Sequence, residues 1–236
     1  MNMIESIKRL KWYEYVIWLG SVLVIVVSYI VFQIDGYLSL IASLIGVTAL
    51  IFLAKGDVLG QVLTVLFSIL YAIVSFKFRY WGEMITYLGM TMPIAVAAVV
   101  TWIKNPFDKG EVKVRHTSPL LWTVLSVLAI VVTVIFYFIL RFFRTPNLYV
   151  STISITTSFM AASLAMIRSS YYAMFYAAND VVLIVLWILA TRDNISYLPM
   201  VLCFICFLIN DLYAFINWQA MKKRQDESDK DYCKSI

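Results

Sequence analysis

Eight apolar runs, uncharged or nearly so, alternate along the chain with short polar segments: 15–34, 36–54, 58–76, 84–103, 117–140, 147–167, 169–191 and 195–221. A helix rising 1.5 Å per residue crosses about 30 Å of hydrocarbon in about 20 residues, so each run is long enough to span a bilayer. Inside lipid the backbone must satisfy its own hydrogen bonds, and a run that is apolar all round does so as an α-helix. The pattern therefore predicts an all-α, polytopic membrane protein with eight transmembrane helices. The first run follows Lys8, Arg9, Lys11, Trp12 and Tyr13, a basic start that looks like a signal peptide. With 20 residues and no small-residue cleavage site, it is expected to remain as a helix.

Composition supports this, and charge orients the helices. Hydrophobic residues make up 62% of the 236, against about 45–50% in soluble domains, and mean hydropathy is +0.86. An even number of spans puts both termini on one side. Fourteen Lys and Arg fall on that side, and five (Lys77, Arg79, Arg141, Arg144, Arg192) fall on the other. By the positive-inside rule both termini are expected in the cytoplasm of a bacterial-type inner membrane. The net charge of +5 is spread over these loops rather than gathered on one surface, which argues against a nucleic-acid role.

The chain also carries signs of an internal repeat. Sliding it by 113 positions lays Lys55 on Arg168 and Arg79 on Arg192, with 24 residues separating the basic positions in each half. Spans two to four then correspond to spans six to eight, span five is a connector, and span one is an addition. Four spans separate the copies, so both have the same orientation, a parallel repeat about an axis along the membrane normal. The expected segments are 1–35 (basic start and first span), 36–103 (first triple-helix repeat), 104–146 (loop and connector), 147–221 (second repeat) and 222–236 (polar cytoplasmic tail, expected to be disordered).

One stretch carries candidate chemistry. Asp180 has eleven uncharged residues on either side within the seventh run. A carboxyl at that depth costs about 2.5–3.5 kcal/mol to insert and by default marks a functional site. On a helix Tyr172, Phe175 and Asn179 share one face, with Leu183 a turn further and Tyr176 at its margin. Two flat rings and an amide suit a ligand that combines an aromatic ring with hydroxyl or amide groups; helix–helix packing is the alternative use of such a face. Asn210 and Asp211 repeat the Asn-Asp pair in the eighth run and offer a second polar wall, or an interhelical network. Trp81, Glu83 and Pro93 in the fourth run are candidate gate residues. The Ser/Thr-rich sixth run suits either a hydroxyl-lined path or close helix packing. Asp35 and Asp57 flank spans as ordinary helix-end acids.

Other chemistries lack their residues. There is one histidine, His116, and one C-x-x-C pair, Cys203 and Cys206, inside an apolar run, so neither a metal site nor a redox motif is expected. No nucleophile elbow or Walker loop is present, so enzymatic hydrolysis and ATP coupling are not expected, and no cofactor is.

The spacing Tyr172-x-x-Phe175-x-x-x-Asn179 resembles the Trp-x-x-Trp-x-x-x-Asn motif of the PnuC family of bacterial vitamin transporters. Leu53-Ala54-Lys55-Gly56, Trp81-Gly82-Glu83 with Met92-Pro93 and Trp102, and Asn210 with Phe215-Ile216-Asn217 agree with it, over about 36–222. Both family tryptophans are smaller aromatics here, and Ala95 stands where relatives often have Gln. The resemblance implies an architecture shared with the SWEET sugar carriers. It also implies facilitated diffusion of nicotinamide riboside, trapped in the cytoplasm by phosphorylation, with Tyr172, Phe175 and Asn179 toward the substrate; Tyr176, Asp180, Asn210 and Asp211 join them as candidate substrate-binding residues on the reading of the spans themselves. Thiamine, riboflavin and deoxynucleosides are alternative substrates, and a non-transporting receptor or structural role is the alternative of a different class. Expected partners are the small-molecule substrate, the lipid bilayer and, in a homo-oligomer, copies of the chain.

Overall fold

A computed structural model describes residues 3–32, 37–108 and 110–234. Asp35 lies outside them. Among the described residues eight helices are long and apolar enough to cross a membrane: Trp12–Val31, Tyr37–Ala54, Val58–Lys77, Trp81–Ile103, Pro119–Phe142, Leu148–Met166, Tyr172–Arg192 and a last one from Ile195 that opens with a 3-10 turn. A short helix, Met3–Lys8, precedes them. Among the described residues the only β-pairing is an isolated bridge between Pro106 and Val112. Local chemistry sets the helix starts. The Glu14 carboxylate accepts the Lys11 N–H (2.6 Å), which starts the first span at Trp12. Asp57 caps the third span by accepting from the Leu59 N–H (2.9 Å). Its other oxygen accepts from the Ser6 hydroxyl (2.6 Å) and pairs with Arg9, so this helix-end acid also anchors the N-terminal segment.

The fourth span is not a uniform helix. Trp81–Thr86 and Met92–Ile103 are α-helical, and Tyr87–Thr91 between them forms a π-turn. Pro93 has no N–H to give the Gly89 carbonyl four residues back, so the hydrogen-bond ladder slips by one there.

Spans two, three and four and spans six, seven and eight close into a ring: the fourth packs on the sixth as the eighth packs on the second. The connector packs on the sixth span and the first span on the second and eighth, both outside the ring. Paired hydrogen bonds show the repeat directly. Trp102 Nε1 donates to the Ala165 carbonyl (2.8 Å) and Trp218 Nε1 to the Leu53 carbonyl (2.8 Å). Beside them Thr101 Oγ1 donates to Met166 O (2.7 Å) and Asn217 Nδ2 to Ala54 O (2.7 Å). Leu53 thus corresponds to Ala165 and Ala54 to Met166, a register of 112. That is one position from the 113 suggested by the basic residues, because the left-handed residue ending the first helix of each repeat is Gly56 (φ 67°) in one and Arg168 (φ 63°) in the other. The two indoles meet at the axis, with ring centroids 5.5 Å apart.

The segment after the fourth span crosses this axis. Val112 N–H donates to the Gly56 carbonyl and Arg115 N–H to the Arg168 carbonyl, both at 3.0 Å, so one strap holds the two equivalent helix ends. The expected disorder of the tail is overturned. The last helix continues to Lys234, because its polar face grips the strap. Gln225 accepts from Val114 N–H (2.8 Å) and donates to Val112 O (3.1 Å), Lys113 pairs with Asp229 (3.0 Å), Arg224 pairs with Glu111, and His116 Nε2 lies 2.8 Å from Asp226.

Candidate functional site

Inside the ring lies a cavity of about 40 Å³. Its walls come in repeat-related pairs: Gly46 with Ser158, Thr64 with Tyr176, Phe67 with Asn179 and Ser68 with Asp180, each 112 residues apart. Thr91 and Phe207, like the two tryptophans, are 116 apart. The cavity therefore sits on the pseudo-two-fold axis, where both halves meet. The π-turn serves it directly, since Tyr87 and Thr91 at its two ends both line the space.

Two acids face the cavity. Asp180 and Asp211 are both buried, and both line this one small cavity. Asp180 Oδ2 and Asp211 Oδ1 accept from no donor group among the described residues. Among the described residues no Lys, Arg or His lines the space, so the two carboxyl groups there stand with no basic group beside them. Asn179 Oδ1 accepts from Thr157 Oγ1 (2.8 Å), which fixes the amide and leaves its N–H donors available to a ligand.

The residues singled out in the sequence divide. Tyr176, Asn179, Asp180 and Asp211 line the cavity together. Tyr172 is fully buried just outside it, its ring edge-on to Trp218 (4.8 Å) and its hydroxyl without a partner. Phe175 departs from the expectation. Its ring packs against Trp122 of the connector (6.0 Å), and it does not line the cavity. Asn210 also turns away, donating to Ser21 Oγ (3.0 Å) of the first span and to Cys206 O (2.8 Å). Glu83 is buried one helical segment before the π-turn, with Oε2 unpartnered, while Trp81 packs edge-on to Phe76 at the end of that span. Pro93 faces outward and acts through the backbone. Cys203 and Cys206 are buried in the core and not bonded to each other. Ser158 of the hydroxyl-rich sixth span also lines the cavity, while the sequence reading missed Gly46, Thr64, Ser68, Tyr87, Thr91 and the Phe67, Phe204 and Phe207 rings; the repeat, in its correct register, carries the signal for Ser68 opposite Asp180 and Gly46 opposite Ser158.

This division yields a test. If the aromatic wall contacts the substrate, Tyr176→Ala weakens its binding by about 1–3 kcal/mol, the range for ring stacking, while Phe175→Ala leaves binding near wild type. Isothermal titration on both variants measures it, and the reverse ranking would return the site to the Tyr172–Phe175 face.

A helical membrane protein of two parallel repeats, with a cavity on the axis between them that two acids and an amide line among apolar residues, has the build of a small-solute carrier. The profile of the nicotinamide mononucleotide transporter family matches residues 36–220, and the chain belongs to that family of membrane transporters. It is 24% identical over 88% of its length to the nicotinamide riboside transporter PnuC of Neisseria mucosa, covering 81% of that protein. It is 22% identical over 89% of its length to the Haemophilus influenzae nicotinamide riboside transporter PnuC, covering 91% of it. A crystal structure of the vitamin B3 transporter PnuC superposes with a TM-score of 0.80 at 24% identity, covering 92% of this chain and 94% of that one. The eight-helix architecture is thus that of a known fold.

Proposed function

We propose that this protein imports nicotinamide riboside across the bacterial cytoplasmic membrane by facilitated diffusion, through the axial cavity. The observation that carries the reading is the cavity's lining: two acids, one amide and several rings, with no base among the described residues. Nicotinamide riboside brings what this lacks, a positively charged aromatic ring for the carboxyl pair and the rings, and an amide and ribose hydroxyls for Asn179, Ser158 and Ser68. The names of both relatives and of the structural neighbour point the same way.

The cavity holds only one or two waters at about 40 Å³, whereas pockets for ligands of substrate size run to about 300–1,000 Å³. Substrate admission therefore requires the helices and rings around the axis to move apart, and the π-turn at Tyr87–Thr91 with Pro93 behind it is a local break at which the fourth span can bend. Uptake by purified protein in liposomes, compared among nicotinamide riboside, thiamine, riboflavin and deoxynucleosides, tests the substrate. Preferred uptake of thiamine, which is also cationic and aromatic, would keep the charge reading and replace the substrate. Saturation by a neutral deoxynucleoside alone would remove both.

We place both termini in the cytoplasm on the bias of fourteen basic residues against five. A C-terminal fluorescent reporter that matures only in the cytoplasm is expected to be bright, and a C-terminal phosphatase that works only in the periplasm inactive. The opposite pair of results overturns the orientation.

A further inference from the structure

Two acids sharing one small cavity where no base stands need an account of their charge. Tyr172 and Tyr176 of the seventh span, Cys203 of the eighth and Tyr87 of the fourth are the titratable groups around the pair. The second, third and sixth spans contribute only uncharged groups, among them Gly46, Ser68 and Ser158. Beyond Tyr87 stands a third buried acid, Glu83, also without a basic partner. Two like charges confined to one small, mostly apolar cavity repel strongly, and Asp180 Oδ2 and Asp211 Oδ1 receive no donor among the described residues. One proton held between the carboxyl groups resolves both problems, giving them a hydrogen bond to each other and leaving one negative charge on the pair.

We propose that Asp180 and Asp211 form a single monoanionic cation site, closed by a shared proton, for which the pyridinium of the substrate and a second proton compete. The identity of the cation rests on the nicotinamide riboside reading; the shared proton does not. Binding a monocation leaves the shared proton in place and the cavity neutral. A second proton neutralises the pair instead and excludes the cation. The only bond made or broken is the carboxyl O–H. Two acids then serve one positive charge, and each can be replaced alone: in Asp180→Asn or Asp211→Asn the new amide N–H takes the place of the carboxyl O–H and bonds the remaining carboxylate. Only the double substitution removes the charge.

Calorimetric titration of the full-length protein in detergent tests this, with nicotinamide riboside and with benzamide riboside, in which a carbon replaces the ring nitrogen and the ring is neutral. Each single Asp→Asn variant is expected to bind nicotinamide riboside within about tenfold of wild type, and the double variant to bind it about a hundredfold or more weakly, with benzamide riboside changing little throughout. In wild type, acidification weakens nicotinamide riboside binding by up to about tenfold per pH unit and spares benzamide riboside. A single variant as damaged as the double one overturns the shared proton, and parallel losses for the two ligands overturn the cation site; both outcomes leave nicotinamide riboside as the substrate. If neither ligand binds wild type, the substrate reading falls, and infrared spectroscopy still decides the proton. The carboxylic C=O stretch of the pair, present at neutral pH in wild type and lost in each single variant, supports the proposal. Its absence from wild type, or its persistence in both single variants, overturns it.

Discussion

Asn179→Leu is expected to weaken nicotinamide riboside binding by about 2–4 kcal/mol, roughly 30- to 1,000-fold, while the protein remains folded and inserted. Leucine keeps the same branched heavy-atom skeleton, and the cavity beside it can receive its bulkier methyl groups. The Thr157 hydroxyl that loses its acceptor can turn its one O–H to the Ile153 or the Ser154 carbonyl (3.1 Å each), so it is not left unpaired. What is lost is the one amide whose orientation the protein fixes toward the cavity. The polar atoms of a ligand would then face a hydrocarbon wall, and a site built on hydrogen bonds discriminates far more strongly than one built on apolar contact. Titration of the variant checks the affinity and its melting profile checks the fold. Unchanged affinity would mean that the ligand's polar groups are read elsewhere.

Gly46→Val is expected to reduce uptake to background, a loss of about a hundredfold or more, at normal abundance in the membrane. A Cβ at this position would lie 2.3 Å from the Phe207 ring and 3.0 Å from the Phe67 ring, and both rings line the cavity. Valine drives them into a space of about 40 Å³ that has no room to receive them. Overpacking of this kind costs about 1–3 kcal/mol, which a helix bundle with intact lipid-facing surfaces can absorb. Liposome uptake at a rate close to wild type would show that the substrate does not pass this point.

The spans were legible in the sequence because a bilayer demands long apolar runs, and polar breaks separate those runs. The fourth span's π-turn was not, since Pro93 announces a disturbed helix but not which residues the slip rotates inward. The seventh span shows the limit most clearly. Helical spacing puts Tyr172 and Asn179 near the centre of one face, with Phe175 on one flank and Tyr176 and Asp180 on the other. Which flank meets the cavity depends on the neighbouring helices, and here the axis takes Tyr176 and Asp180 and gives Phe175 to Trp122. Asn210 and Asp211 are adjacent in sequence and about 100° apart around the helix, so one turns to the first span and the other to the axis. The tail misled through its composition: charged and polar residues read as disorder when their partners, Glu111, Val112, Lys113 and Val114, are a hundred residues away on the strap.

That strap gives the machine a fixed fulcrum. Because one short stretch of backbone binds the helix ends of both halves at Gly56 and Arg168, the halves stay joined at this membrane face when they separate at the other. A tilt of about 10° around such a pivot opens the far ends, about 30 Å away, by about 5 Å, enough for a flat ring to slip in edge-on. On the orientation proposed above, discharge would take place on the strapped side, where the pair of backbone bonds and the Gln225 clamp that reinforces them would have to yield first, so loading and unloading would meet unlike barriers.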